Sequence, residues 1–261
     1  LDFKKQKLAK QFPLLKWIVK PTADEYEAEY FETILDFFLK RYNYFPLKEK
    51  LIIFSDKMKQ QIGNDNHIRE IYKNEFEKVN DQDSYDQFLF IFQKLHLPGL
   101  LGRLDTATMA ASVEGRVPFI NVKIAEFLAN VPFSYKISWK SSWAKLRSMR
   151  RSANQISEEL DTPKYLLRET FREKLPKEIV TRKKMGFPVP LNLWFTDDLL
   201  SYSKKLLLEK RAKSSSIFDQ KKLEQWIDEN KSSNNKKFGL QLWMLVNLEL
   251  WLKAYKVKVE I

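Results

Sequence analysis

Cysteine does not occur in this sequence. That removes disulfides, thiolate nucleophiles and cysteine-ligated metals, and it suits a reducing compartment. Histidine is nearly as scarce. His67 and His96 are the only two, too few for a histidine-rich metal site or a multi-histidine mechanism. Of the six glycines, none falls in a GxGxxG or GxxxxGK phosphate loop. No apolar run approaches the roughly 18–20 residues of a membrane span. The richest, Leu240–Leu252, is interrupted by Gln241, Asn247 and Glu249 and reads as a buried core helix. No signal or transit peptide is apparent, and the opening Leu1 suggests an excised piece of a longer protein.

What is present reads as globular protein. The 261 residues are 44% apolar and 31% charged, enough for one large domain or two small ones. Charge is uneven along the chain. Residues 1–100 hold 16 cations and 16 acids, and residues 101–261 hold 30 and 18, so the whole excess of +12 lies in the later part. A basic excess suggests an anionic partner, either a nucleotide, a nucleic acid or an acidic protein surface. The alternative is a solvated, lysine-rich surface.

Periodicity predicts a mostly helical chain. Helices are expected over Thr22–Tyr42, Lys48–Gln61 (stopped by Gly63), Ser84–Leu95, Pro98–Val113, Asn121–Asn130, Asp219–Asn230 and Phe238–Tyr255. Ile137–Glu159 reads as irregular or loosely helical, with a basic cluster at Arg147, Arg150 and Arg151. Thr162-Pro163 has the form of an N-cap followed by proline in the first turn, and predicts a helix to Leu175-Pro176. Gly186, Pro188 and Pro190 make Arg182–Pro190 a loop. Residues 1–95 divide off as a helical N-terminal segment, and residues 96–261 contain every chemistry-bearing motif.

Three stretches stand out: LLGRLDTATMAASVEGRVPF (100–119), TPKYLLRETF (162–171) and TRKKMGFPVP (181–190). The first sets Glu114 and Arg116 among apolar residues, where charges are rarely buried unless paired or reactive. The last puts Arg182, Lys183 and Lys184 on a loop shaped by glycine and proline. Such a loop can converge its cations on phosphate oxygens, although basic triplets are also ordinary surface charge.

Taken in order, these segments resemble the asparagine synthetase family. That family reads LLxRxDRxxMAxSxExRVPF, then TKYLLR, then RxKxGFxVP, and ends on an LWxLxxLExWL helix. The matches here are Leu100–Asp105, Met109-Ala110, Ser112, Glu114, Arg116–Phe119, Pro163–Arg168, Arg182–Pro190 and Leu242–Leu252. They cover residues ~95–255, and the first ~95 residues match only as generic helices. The resemblance implies a mostly α fold, the helical C-terminal portion of an adenine nucleotide α-hydrolase-like (ATP pyrophosphatase) synthetase domain, without most of its parallel sheet.

The resemblance also implies a reaction. A carboxylate attacks the α-phosphate of Mg-ATP, pyrophosphate leaves, and ammonia then displaces AMP. ATP and Mg2+ are therefore implied. By motif position Lys184 is the catalytic lysine, with Arg182, Lys183 and Arg116 as substrate- or phosphate-binding support and Gly186, counted with them, letting the loop fold closely. Glu114 would position substrate or assist proton removal from the incoming amine, or else serve as a structural partner of Arg116. No protein metal ligand is assigned.

Two departures qualify this. Asp105-Thr106 stands where the family has Asp-Arg, and the family's SGGxDS and GDGxDExFGGY segments are absent from the 261 residues. The expected partners are an N-terminal ATP-pyrophosphatase portion, a glutaminase domain or subunit, and a small carboxylate. Alone the chain is expected to be inactive. A cytoplasmic location is expected, with no membrane contact and no nucleic acid. Alternatives are amidation of another acid such as a sugar uronate, a degenerate helical scaffold, or a basic nucleic-acid-binding module.

Overall fold

A computed structural model describes residues 2–18, 20–21, 30–183, 189–231 and 235–260. The described residues are predominantly helical, and their one sheet is a two-stranded antiparallel pair. The chain divides into two compact units, Leu1–Arg41 with Ile71–Met185, and Tyr42–Glu70 with Gly186–Ile261.

The second unit is built around the Phe238–Ala254 helix. Its apolar residues recur so that Leu242, Leu245, Val246 and Leu252 are buried. Leu223, Trp226 and Ile227 of the Gln220–Lys231 helix join them in one core with Ile53, Leu207 and Phe218. Gly239 is required where this helix meets residues 191–192. A Cβ there would stand 2.4 Å from the Leu191 carbonyl carbon. The close approach also lets the Gly239 N–H donate to Asn192 Oδ1 at 2.7 Å.

Buried polar groups in this unit are satisfied by the chain itself. The Glu249 carboxylate has no exposed surface. It accepts from the backbone N–H groups of Lys213 and Ser214, both at 2.8 Å, and from Ser214 Oγ at 2.7 Å. Lys253 Nζ stands 3.4 Å away. Burial pushes the Glu249 carboxyl upward, but the Ser214 hydroxyl, the two backbone donors and Lys253 outweigh it. The group is held below the ordinary glutamate value.

The stretch Lys48–Gln61 is two helices rather than the single one expected, Leu47–Ile53 and Asp56–Ile62. Phe54 and Ser55 leave helical geometry to bridge a distant segment. Phe54 pairs antiparallel with Phe218, and the Ser55 N–H donates to the Ile217 carbonyl at 2.9 Å. Ser55 then caps the second helix, accepting from the Met58 N–H.

The first unit holds an aromatic cluster centred on the fully buried Phe38. Rings of Tyr72, Phe76, Phe88, Phe92 and His96 lie 5.0–5.7 Å from it, mostly tilted or edge-on. Of the expected Thr22–Tyr42 helix, residues 22–29 lie outside the described residues and the helix observed is Ile34–Tyr42. Ile137–Trp139 pairs antiparallel with Asp161–Pro163, setting Ser138 opposite Thr162. Thr162-Pro163 therefore does not start a helix. It ends a strand, Lys164 turns through left-handed φ 56°, and the helix is Tyr165–Thr170.

Candidate functional site

The strand pair and the short helix after it build a cleft of about 860 Å³. Lys140, Glu158, Arg168, Glu169, Arg172, Lys177 and Lys183 contribute its charged lining. At its back the Arg168 guanidinium is held on every side. Its Nε donates to the Pro163 carbonyl at 3.1 Å, and one terminal nitrogen donates to the carbonyls of Val180 (2.7 Å) and Arg182 (3.1 Å). The other terminal nitrogen donates to both Glu158 oxygens at 3.2 Å. Arg168 thus ties the strand end, the close of the Lys177–Thr181 helix and the first residue of the basic loop into one arrangement.

Planar, five-donor arginine suits this task because its N–H groups point in fixed directions. Glu158 adopts φ 66°, a backbone conformation uncommon for a residue with a side chain. Its carboxylate is nearly buried beside the arginine. Lys140 Nζ donates to the Glu158 carbonyl and Arg172 pairs with Glu169. Among the described residues no carboxylate pairs with Lys177 or Lys183. The cleft is therefore suited to an anion.

The sequence-predicted residues divide into three groups. Arg182 and Lys183 follow the Lys177–Thr181 helix, with the Arg182 carbonyl fixed by Arg168 and Lys183 in the cleft lining. Lys184 and Gly186 lie outside the described residues. Glu114 and Arg116 form an ion pair at 2.8 Å, with side chains 66% and 82% exposed, and neither lines the cleft. The pair is real but solvated, the kind whose net contribution is about 0–1 kcal/mol.

Its surroundings are equally open. The motif helix Leu97–Met109 and the following helix Val122–Ala129 contain no buried residue. No residue from Phe92 to Trp143 is buried. Leu100, Met109, Val113, Phe119, Val122 and Phe127 all present large apolar side chains to solvent. Exposure of this many large apolar side chains within one segment is what an interaction surface shows. The apolar setting that makes SVEGRVPF look like buried sequence is not supplied by the described residues.

Three positions that matter here were not singled out from the sequence. Arg168 closes the KYLLR segment, so the signal was in hand, but its partners lie up to 14 residues away and only the fold brings them together. Lys140 and Glu158 belong to no motif. Among the described residues, no three histidine or carboxylate side chains converge as a metal would need. The cationic cleft fits phosphate oxygens, and these residues do not fit Mg2+. None of the described helices is long and apolar enough to cross a membrane.

Comparison with known proteins gives a consistent result. The model of the asparagine synthase family matches residues 2–253, including the first ~95 residues where motifs were silent. The chain is similar to "Asparagine synthetase [glutamine-hydrolyzing] 1" of Bacillus subtilis (strain 168), 24% identical over 173 residues, which is 63% of this chain and 24% of that protein. It is also similar to "Asparagine synthetase [glutamine-hydrolyzing] 3" of the same organism, 21% identical over 227 residues, 82% and 34% of the two chains. A "Putative asparagine synthetase [glutamine-hydrolyzing]" of Mycobacterium bovis is 26% identical over 153 residues, 58% and 20% of the two. The chain spans about a third or less of the length of these curated relatives. No solved structure matches it. With nearly its whole length matched, this chain belongs to the asparagine synthase family.

Proposed function

We propose that this chain is the helical C-terminal part of an ATP-dependent amide-forming synthetase, active together with an N-terminal ATP-pyrophosphatase portion. In this reading a carboxylate oxygen of aspartate attacks the α-phosphorus of ATP, and the bond to pyrophosphate breaks. Ammonia from a glutaminase domain or subunit then attacks the acyl carbon, AMP leaves, and the nitrogen loses a proton as the amide forms. The setting is cytoplasmic. The observation that carries the reading is the Arg168-anchored base of the cationic loop, beside an anion-suited cleft, in a chain matched to the family along its length.

The reaction's electrostatic demand is negative charge gathering on the transferring phosphorus and the departing pyrophosphate. Lys184 is assigned to meet it, with Arg182 and Lys183 beside it and Gly186 giving the loop its close fold. Glu114 orients the substrate or accepts the amine proton, and Arg116 holds its carboxylate, which the 2.8 Å pair supports. Mg2+ is held by the N-terminal portion in this reading. The uncovered face over residues 97–129 supports such a partner, because covering it brings Glu114 into a desolvated setting.

The test is to combine the chain with an N-terminal ATP-pyrophosphatase portion of the family and follow ATP–pyrophosphate exchange with aspartate. The pair exchanges and neither part does so alone. An inert pair of folded parts ends the asparagine-forming reading. Exchange that survives Lys184→Ala removes only the lysine assignment.

A further inference from the structure

Most of the charge excess of this chain lies outside the candidate site, in two segments whose only charge in that cleft is Lys140. Residues 2–21 hold six lysines and one acid, Asp2, while residues 139–151 hold five lysines and arginines and no acid. Their net ten positive charges compare with twelve for the whole chain. The fold packs the two segments together. The buried Lys5 donates to the carbonyls of Ser148 (2.6 Å) and Arg151, and Asp2 accepts from the Ala153 N–H at 3.0 Å. Lys4 pairs with Asp83 and Arg151 with Glu159. Lys7, Lys10, Lys16, Lys20, Lys145, Arg147 and Arg150 are exposed, and the same two segments carry an exposed apolar surface.

That surface has two edges. The Pro13–Ile18 segment is two short helical turns joined by a kink at Leu15. Ile18 is buried, while Leu14 is 93% exposed and Trp17 46% exposed. In the Ser142–Ser148 helix, Ala144 and Ser148 face inward. Helical spacing sets Trp143 and Leu146 on the other side together with Arg147 and Arg150, and Trp143 is 73% exposed. The Arg150 guanidinium lies 5.2 Å over the Trp17 ring, which joins the two edges. Beside them Lys20, Arg150 and Arg151 line a cleft of about 950 Å³ that also includes Glu159.

We propose that this surface adsorbs to anionic phospholipid headgroups and holds the chain at a membrane surface. Tryptophans suit the headgroup level, leucines reach the acyl boundary, and the surrounding lysines and arginines meet negative headgroups. A nucleic acid would use the rings and the cations but would leave Leu14 and Leu146 in water. Adsorption needs no spanning helix. The expectation of no membrane contact rested on the lack of a span and does not bear on this surface.

The experiment is sedimentation of the full chain with phosphatidylcholine vesicles, with and without roughly one-third phosphatidylglycerol. The chain pellets only with the anionic vesicles, and less so as salt rises. Leu14→Ser with Trp143→Ser weakens binding about tenfold, as does Arg147→Glu with Arg150→Glu. Val122→Ser, on the other apolar face, leaves it unchanged, and circular dichroism is the same for all. No binding to anionic vesicles overturns the proposal. So does an equal loss from Val122→Ser, which moves the contact elsewhere. Tight binding of single-stranded RNA without vesicle binding assigns the surface to nucleic acid, and a dimer abolished by Leu14→Ser assigns it to a second copy.

Discussion

Two family motifs in this chain have opposite fates. The terminal LWxLxxLExWL segment lies in a helix that buries eight of its residues, and even its glutamate is enclosed and fully hydrogen-bonded. The LLxRxD…ExRVPF segment, half of it apolar in sequence, buries nothing. The terminal segment is the more apolar of the two, but half of the other is apolar as well, and what it lacks is a complementary surface among the described residues. A motif that builds its own core contributes to the stability of this chain. A motif that faces outward contributes only once something covers it.

The sharpest way to break this contrast is truncation on each side. Leu242 is completely buried, so Leu242→Ala costs about 3 kcal/mol from lost transfer energy and a cavity. Phe127, 63% exposed, loses less than about 0.5 kcal/mol as Phe127→Ala. Urea unfolding of the two variants measures both. Equal losses would mean that residues 97–129 are packed after all. Mixed with the N-terminal portion, the same Phe127→Ala variant should become the costly one for assembly.

Next in size is the enclosed carboxylate. Glu249→Gln keeps the shape but turns an amide N–H2 toward existing donors, costing about 2 kcal/mol. The pH dependence follows from the sign of the shift. The folded-state value is depressed, so Glu249 gives its stabilisation above the unfolded glutamate value and loses it as pH falls through the folded value. Melting temperatures measured from pH 7 to about pH 3 should therefore fall less steeply in the glutamine variant. Parallel curves would show that the carboxylate's charge contributes nothing to the lock.

These two cases also mark what the sequence made legible. The terminal helix was readable because its spacing repeats locally and its interruptions are polar. The break at Phe54 was not, because its cause is Phe218, far along the chain. Thr162-Pro163 satisfied local rules for a helix start, and pairing with Ile137–Trp139 overrode them. For the candidate site, motif order pointed to Arg182 and Lys183, which follow the Lys177–Thr181 helix with Lys183 in the cleft lining. The geometry that fixes the loop base passes through Arg168 to carbonyls of Val180 and Arg182, and no spacing rule encodes main-chain acceptors.

Arg168 gives the third prediction. Lysine retains the charge but cannot reach five directions, so Arg168→Lys frees the loop base while global stability falls by about 1 kcal/mol. Brief trypsin treatment reads this out, because Arg182 and Lys183 are themselves cleavage sites. The variant is cut there several-fold faster than the parent, with circular dichroism unchanged. Unaltered cleavage would leave Arg168 as a local packing residue.

The smallest effect falls on the pair that first drew attention. Glu114 and Arg116 attract one another across water, where screening and side-chain entropy offset most of the Coulomb term. Glu114→Gln or Arg116→Ala should shift the stability of the isolated chain by no more than about 0.5 kcal/mol. If residues 97–129 become covered, water is excluded and the same two charges interact more strongly. If Glu114 accepts the amine proton, Glu114→Gln in the combined protein slows amide formation while sparing ATP–pyrophosphate exchange, since that role follows adenylation. Loss of exchange as well would mean that Glu114 orients the acid before adenylation, and loss of neither would return the pair to ordinary surface charge.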